Sequence, residues 1–158
     1  MSTTTPTILP PTESGITRAV KALWAGDVVA FGTETVYGLG ADAGNLDAVA
    51  KVFALKQRPV KNPLICHVDG LEMAKTIARV DAEAEMVIRQ FWPGPLTLIL
   101  PYLDNDSVAE TARAGLGTVA VRAPAHDTAR ALLTAVGRPV VAPSANKSGR
   151  LSPTTALM

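Results

Sequence analysis

Two loops rich in small and hydroxylated residues carry the side chains best suited to bind a ligand. The first spans residues 32–40 and reads GTETVYGLG, and the second spans residues 142–146 and reads APSAN. Each loop includes or follows a short Val-rich apolar run, at 28–31 and 140–142, which predicts a buried strand. Because open α/β sheets bind ligands at strand ends, hydroxyls and backbone amides at these positions favour a ligand site.

The 32–40 loop has two interpretations. Its glycines would allow an ordinary tight connection between strands. Alternatively, Thr33, Thr35 and Tyr37 alternate along the chain, so in an extended segment their hydroxyls would point one way and Glu34 the other. We favour ligand contact, although the glycine spacing matches neither the Walker A motif nor the dinucleotide-binding motif.

A basic cluster lies between the two loops in the sequence. Lys56, Arg58 and Lys61 place three cations near the end of a predicted helix. Such clusters are usually solvated surface, but the neighbouring prolines would hold Arg58 in a fixed direction. Since Arg can grip a carboxylate or phosphate with two parallel hydrogen bonds and Lys acts as a point charge, the pair suits an anion site.

Several further polar residues occupy strand ends. Ser144 and Asn146 suit either a self-bonded turn or a phosphate or zwitterion site, and no nucleophile-elbow pattern surrounds Ser144. Cys66 and His67 are neighbours in a predicted strand, so they point to opposite faces and cannot bind one metal. We expect a buried, apolar role for Cys66, while His67 is either a residue at the core edge or a ligand contact. Arg122 ends an apolar strand, either as a surface residue or as a carboxylate clamp.

Composition excludes several classes of protein. A chain of 158 residues that is 47% hydrophobic can bury one core without disulfides, and its single cysteine cannot form an internal one. The net charge of +1 excludes a uniformly basic nucleic-acid binder, so any anion site must be local. No apolar stretch approaches the roughly 18 residues of a membrane span. Residues 1–12 are rich in Thr and Pro, and we expect a disordered lead-in to a cytoplasmic protein.

Predicted helices and strands alternate along the chain. Helices are predicted at 16–24, 46–58, 69–77, 81–91 and 127–136, and strands at 28–31, 64–68, 96–100, 119–121 and 140–142. We expect Asp127 to cap the last helix. The alternation predicts an α/β fold, α+β in some schemes, with an open sheet of at least five strands. The chain ends where a further helix could begin, so we expect a domain at 13–158 that is truncated at its C-terminal end.

Five sequence blocks, in the same order and spacing, closely resemble the YrdC family. They are TETVYGLG at 33–40, KQRP at 56–59 with NPL at 62–64, WPGPLT at 92–97, TVAVR at 118–122 and PSAN at 143–146. The resemblance covers about residues 15–155, and it departs at Gly32, where the family usually has proline. It implies a synthase that makes L-threonylcarbamoyl-adenylate from L-threonine, bicarbonate and ATP, a step in the threonylcarbamoyl modification of tRNA.

The resemblance also implies a fold and a set of site residues. The fold would be a twisted open mixed sheet, flanked by helices, with a concave and positively charged cavity. Lys56 and Arg58 would be catalytic. The nucleotide-binding residues would be Lys56, Arg58, Thr118, Ser144, Asn146 and Ser152, and the threonine-binding residues would be Thr33, His67 and Arg122. ATP would be a substrate, Mg²⁺ would arrive on the nucleotide, and we expect no dedicated metal site.

The sequence is also compatible with two other functions. One is the carbamoyl-adenylate-forming module of hydrogenase-maturation carbamoyltransferases, which are similar to this family but use carbamoyl phosphate. The other is a non-catalytic RNA-binding module that uses the basic side chains, although near-neutral charge and only 4% aromatic residues argue against it. The family resemblance further implies transient contact with tRNA or a downstream transferase, no membrane partner, and a domain that continues past residue 158.

Overall fold

The computed structural model describes residues 5–158, in which helices and strands alternate as the sequence predicts. The predicted lead-in therefore lies partly outside the described residues. The helices are α1 (Glu13–Trp24), α2 (Leu46–Lys56), α3 (Leu71–Lys75), α4 (Ala82–Phe91) and α5 (Asp127–Val136), with a 3-10 helix at Glu110–Arg113. The strands are β1 (Val29–Gly32), β2 (Tyr37–Asp42), β3 (Ile65–His67), β4 (Leu98–Pro101), β5 (Thr118–Arg122) and β6 (Val140–Val141).

The strands form one mixed sheet in the order β1-β2-β6-β3-β5-β4. Among these six strands, β3 and β5 pair in parallel and the other neighbours pair antiparallel. The predicted open mixed sheet is confirmed. The prediction missed β2, which occupies the second half of the supposed 32–40 loop, because two glycines lower the apparent strand propensity of that segment.

Each face of the sheet is covered by its own apolar cluster. Cys66 and Val121 lie on the face that packs against α2, α3 and the 3-10 helix. Phe31 and Val140 lie in a second cluster with α1 and α5. Since side chains alternate along a strand, His67 must project from the same face as its register partner Val140. The side chains of His67 and Arg122, at the ends of β3 and β5, therefore project from the face that α1 and α5 cover in part.

The sheet curls strongly along its width. Two strands, β2 and β6, separate β1 from β3, so a flat sheet would hold β1 and β3 about 14 Å apart. The rings of Phe31 and His67 nevertheless meet edge to face, with centroids 6.2 Å apart. The β1–β2 hairpin must therefore arch over the face that carries His67, which confirms the predicted twisted sheet.

Two helix ends differ from the sequence prediction. Helix α5 is capped by His126, whose Nδ1 accepts the Ala129 amide at 3.4 Å, and not by Asp127, which is the first helical residue. Helix α2 ends at Lys56, and Gln57 follows in the left-handed region with φ of 53°, so Arg58 lies beyond the helix. The turn at Gln57 is what separates Lys56 from Arg58. No helix among residues 5–158 has the length and apolarity to cross a membrane.

Close packing around Gly40 predicts the cost of adding a methyl group in β2. A Cβ at Gly40 would lie 2.8 Å from Phe31 Cε1 and 2.9 Å from the Val29 carbonyl oxygen. Gly40→Ala should lower the free energy of unfolding by about 1–3 kcal/mol because the hairpin must shift to accommodate it. Gly117→Ala is the matched control, since a Cβ there has no neighbour within 4 Å. Equal denaturation midpoints for the two variants would contradict this account of the hairpin.

Candidate functional site

The Arg122 guanidinium forms one end of the site, at the end of β5. Arg122 is 8% exposed, and its Nε donates to the Gly94 carbonyl at 3.3 Å. Its Nη2 forms an ion pair with Glu34 Oε1, and the second Glu34 oxygen accepts the Ala125 amide at 2.5 Å. The carboxylate of one hairpin loop thus joins β5 to the segment that precedes α5.

The hydroxyls of the 33–36 turn are already bonded to one another. Both terminal nitrogens of Arg122 donate to Thr35 Oγ1, at 3.3 and 3.4 Å. Thr35 Oγ1 lies 2.9 Å from Thr33 Oγ1, which donates to the Val36 carbonyl at 2.8 Å. Because a hydroxyl carries one proton, Thr35 must donate to Thr33. The prediction that Glu34 and Thr35 point apart is wrong, because the turn is not extended and both contact Arg122.

His67 lies beside Arg122 in the parallel register of β3 and β5. It is 3% exposed, and its Nδ1 lies 3.2 Å from the Ile65 carbonyl oxygen. Burial and, to a smaller extent, the charge of Arg122 together lower the pKa of His67 to about 4, against smaller opposing effects of the Ile65 carbonyl and of Glu34. The imidazole is therefore neutral at pH 7, so it can serve a ligand through hydrogen bonds but not as a cation.

Acid should destabilise the protein through His67. In the unfolded chain His67 is protonated below its ordinary pKa of 6.5. In the folded protein it stays neutral until the pH approaches its lowered pKa of about 4. Stability is therefore lost as the pH falls through this window, by roughly 3 kcal/mol at pH 4. His67→Gln should flatten this part of the pH profile of the unfolding free energy. His126 is present in both proteins, so a profile that keeps its slope in the variant would exclude His67 as the cause.

Lys56 forms the other end of the site. It is 2% exposed, and its Nζ donates to the carbonyl oxygens of Ser144 and of Asn146, the latter at 2.5 Å. Burial lowers the pKa of Lys56, and the charge of Arg58 adds to this effect. The backbone amide of Ser148 donates a hydrogen bond to the Lys56 carbonyl at 2.9 Å. The end of α2 is thereby tied to the 144–148 loop.

The side chains around Lys56 are also held by backbone groups. Arg58 Nη2 donates to the Pro63 carbonyl at 3.0 Å and Nε to the Asn62 carbonyl at 3.3 Å. Burial lowers the pKa of Arg58 as well. Asn146 Nδ2 donates to the carbonyls of Lys147 and Arg150, both at 2.8 Å, while its Oδ1 is buried without a partner among the described residues. Two neighbouring cations, one at the end of α2 and one just beyond it, are therefore each held by backbone carbonyls.

Loss of the Lys56 ammonium should loosen the 144–148 loop. Lys56→Met keeps most of the buried stem but leaves the Ser144 and Asn146 carbonyls without this donor. We expect a loss of about 1–3 kcal/mol in the free energy of unfolding. Lys61→Met is the matched control because Lys61 is exposed. Hydrogen exchange of the loop amides should rise in Lys56→Met alone, and unchanged exchange would show that Lys56 does not hold the loop.

Arg122 and His67 lie at one end of a sheet face, and Thr118, Ser144 and Ser152 lie toward the other. The 33–36 turn, which carries Thr33, continues from Tyr37 at the second end and contacts Arg122 at the first. Thr118 and Arg122 have the same parity on β5, so they share a face and lie about 13 Å apart along the strand. Ser144 forms a bridge with Gly38 beyond the end of β6, on the side of the sheet where β5 begins. The Tyr37 amide donates to the Pro153 carbonyl at 2.9 Å, which brings Ser152 to this same side.

Two cavities are lined by none of the predicted site residues, although Ala123 of the second directly follows Arg122. A cavity of about 560 Å³ lies near Trp24 and Arg138, and one of about 350 Å³ lies near Trp92 and Arg130. The predicted positively charged cavity is neither of these and stays a prediction. Within residues 5–158, no cluster of three or more His, Cys, Asp or Glu side chains is arranged to hold a metal ion. Cys66 is fully buried and burial raises its pKa to about 12, which confirms its expected apolar role.

Comparison with known families decides the assignment of this fold. The sequence profile of the Sua5/YciO/YrdC family, described as telomere recombination, matches residues 21–158. The chain belongs to this family. All the residues predicted to form the site lie inside the matched region.

Relatives with curated names are closely similar to this member of the Sua5/YciO/YrdC family. The threonylcarbamoyl-AMP synthase of Pyrococcus abyssi is 51% identical over 83% of the chain and 38% of the relative. That of Bacillus subtilis is 48% identical over 89% of the chain and 41% of the relative. The crystal structure of P. abyssi Sua5 complexed with L-threonine superposes with a TM-score of 0.88 at 48% identity, over 92% of this chain and 43% of that one. The chain thus spans about two fifths of the length of these relatives.

Sequence analysis missed two contacts of the site, those of Glu34 and of the Ala125 amide. Glu34 is the carboxylate of the TETVYGLG block, and its negative charge could have suggested an ion pair with some Arg of the chain. The pairing joins residues 88 positions apart, however, and no local pattern reports such a distance.

Proposed function

We propose that this chain forms L-threonylcarbamoyl-adenylate from L-threonine, bicarbonate and ATP, with release of pyrophosphate. The observation that carries the proposal is the separation of the two groups along one sheet face. Arg122 and His67, which would bind the amino acid, lie at one end, and Ser144 and Thr118, which would bind the nucleotide, lie toward the other. The spacing of about 13 Å is of the size needed to hold an amino acid next to a nucleoside phosphate.

At the amino-acid end, Arg122 would bind the threonine carboxylate. A guanidinium is a suitable partner because it stays charged and its donors lie in a fixed plane. Thr33 and the neutral His67 would complete the threonine site through hydrogen bonds. The names of the P. abyssi and B. subtilis relatives, and the L-threonine bound to P. abyssi Sua5, support this assignment of the substrate.

At the nucleotide end, Lys56 and Arg58 would stabilise the charge on the phosphoryl oxygens. Lys56 already holds the loop that carries Ser144 and Asn146, so it would act both by its charge and by fixing this loop. Thr118 and Ser152 would contact the nucleotide from the flanking segments. We propose that Mg²⁺ is carried in on the triphosphate and adds positive charge there.

The reaction needs no covalent intermediate on the protein. The threonine amine adds to bicarbonate with loss of water, and the resulting carbamate oxygen attacks the α-phosphorus of ATP as pyrophosphate leaves. The carbamate is short-lived in water, so alignment of the reactants and exclusion of solvent should supply much of the rate. The product, a mixed anhydride, would be consumed by a transferase that modifies tRNA, and we propose the cytoplasm as the location.

Omitting each reactant in turn tests the proposed function. The chain incubated with ATP, bicarbonate and threonine should release pyrophosphate, and omission of threonine or bicarbonate should abolish the release. Arg58→Ala should raise the KM for ATP at least about tenfold through the loss of one charged contact, while the exposed Lys61→Ala should change it less than twofold. Mass spectrometry should detect the mixed anhydride.

Three outcomes would contradict the proposal. Pyrophosphate release without threonine would exclude a threonine substrate. Activity that requires carbamoyl phosphate in place of bicarbonate would favour a carbamoyl-adenylate-forming module. Salt-sensitive binding of RNA with no turnover of ATP would favour a binding module instead.

A further inference from the structure

Glu34 binds Arg122 in a geometry that leaves the guanidinium ready for a ligand. A guanidinium has five N–H groups. Four have partners here: Nε–H with Gly94, the two Nη2–H groups with Glu34 and Thr35, and one Nη1–H with Thr35. One Nη1–H therefore has no protein acceptor among the described residues, and the plane of the group is fixed at both ends.

The Glu34 carboxylate is itself anchored within the fold. One oxygen binds Arg122 and the other accepts the Ala125 amide at 2.5 Å, and the side chain is 24% exposed. Arg122 is 8% exposed, so its charge needs a partner, and Glu34 is the carboxylate that the structure supplies. Displacing Glu34 would leave both a buried cation and a backbone amide unpaired.

We infer that Glu34 is a positioning residue for amino-acid recognition, which acts by holding the Arg122 guanidinium in the plane that receives the substrate carboxylate. The inference rests on the proposed function, since it assumes that Arg122 binds threonine. It assigns the geometry of the turn to substrate binding and not merely to folding. Thr35 has the same role through its hydroxyl, which supports the other side of the guanidinium.

The competing interpretation makes the opposite prediction. If the Glu34 carboxylate occupied the place of the substrate carboxylate, removing it would free Arg122 and tighten threonine binding. The anchoring of both Glu34 oxygens argues against this, because a displaceable carboxylate would not also hold the Ala125 amide on a separate segment. The sign of the change in affinity therefore separates positioning from blocking.

Glu34→Gln tests the inference by direct binding. The Gln oxygen can still accept from Arg122, but its amide NH₂ then faces the Ala125 N–H, so the two donors repel. We expect the Kd for L-threonine, measured by calorimetry, to rise at least about tenfold, as for one lost charged hydrogen bond. The Kd for ATP should change less than twofold, because Glu34 lies at the amino-acid end.

Further variants separate positioning from a general loss of stability. Glu85→Gln is the matched control, since the Glu85 side chain is 30% exposed and pairs with Arg89 and Lys75 away from the site. Thr35→Ala should weaken threonine binding, and Thr35→Ser, which keeps the hydroxyl, should restore it. Circular dichroism of each variant establishes that it is folded before its affinity is measured.

Each outcome bears on a different claim. Threonine binding by Glu34→Gln that is unchanged or tighter would overturn the positioning role while leaving the proposed function intact. Equal weakening of threonine and ATP binding would also overturn it, because this would indicate a general structural loss. Failure of the unaltered chain to bind threonine would overturn the proposed function, and the inference with it.

Discussion

The buried charge of Arg122 constrains the rest of this structure. A guanidinium that is 8% exposed at the end of a strand must find a carboxylate within the fold. Glu34 supplies it from a turn 88 residues earlier in the chain, and the same carboxylate also binds the Ala125 amide. The β1–β2 hairpin can make this contact only because the sheet curls, so the curvature of the sheet and the geometry around Arg122 depend on one another.

The second buried cation is stabilised by a different means. Lys56 is 2% exposed and donates to two backbone carbonyls, with no carboxylate among its described hydrogen-bond partners. Its positive charge is therefore offset only by peptide dipoles, which suits a position where an anionic ligand would add favourable charge. The Arg122 end is a neutralised ion pair and the Lys56 end keeps its net charge. This difference is consistent with our proposal of a zwitterionic amino acid at one end and a polyphosphate at the other.

Side chains at both ends are held by other groups of the protein. Backbone carbonyls hold Arg58, a chain of hydroxyls holds Arg122, and Lys56 holds its loop through backbone carbonyls. A site that is already ordered spends less free energy on ordering when its ligands arrive. In the reaction that we propose, this order would also help to keep the reacting groups aligned.

The sequence alone determined most of the helices and strands and the residue types proposed for the site. Val-rich runs mark the strands at 28–31 and 140–142, and Asn45 caps α2 as side-chain chemistry dictates. Only the tertiary structure decided that Gly38 and Gly40 belong to a strand, because packing against Phe31 and Val140 stabilises a segment of low intrinsic propensity. It alone also decided the pairing of Glu34 with Arg122. Local patterns report on neighbours a few residues apart, whereas a buried charge selects its partner by distance in space.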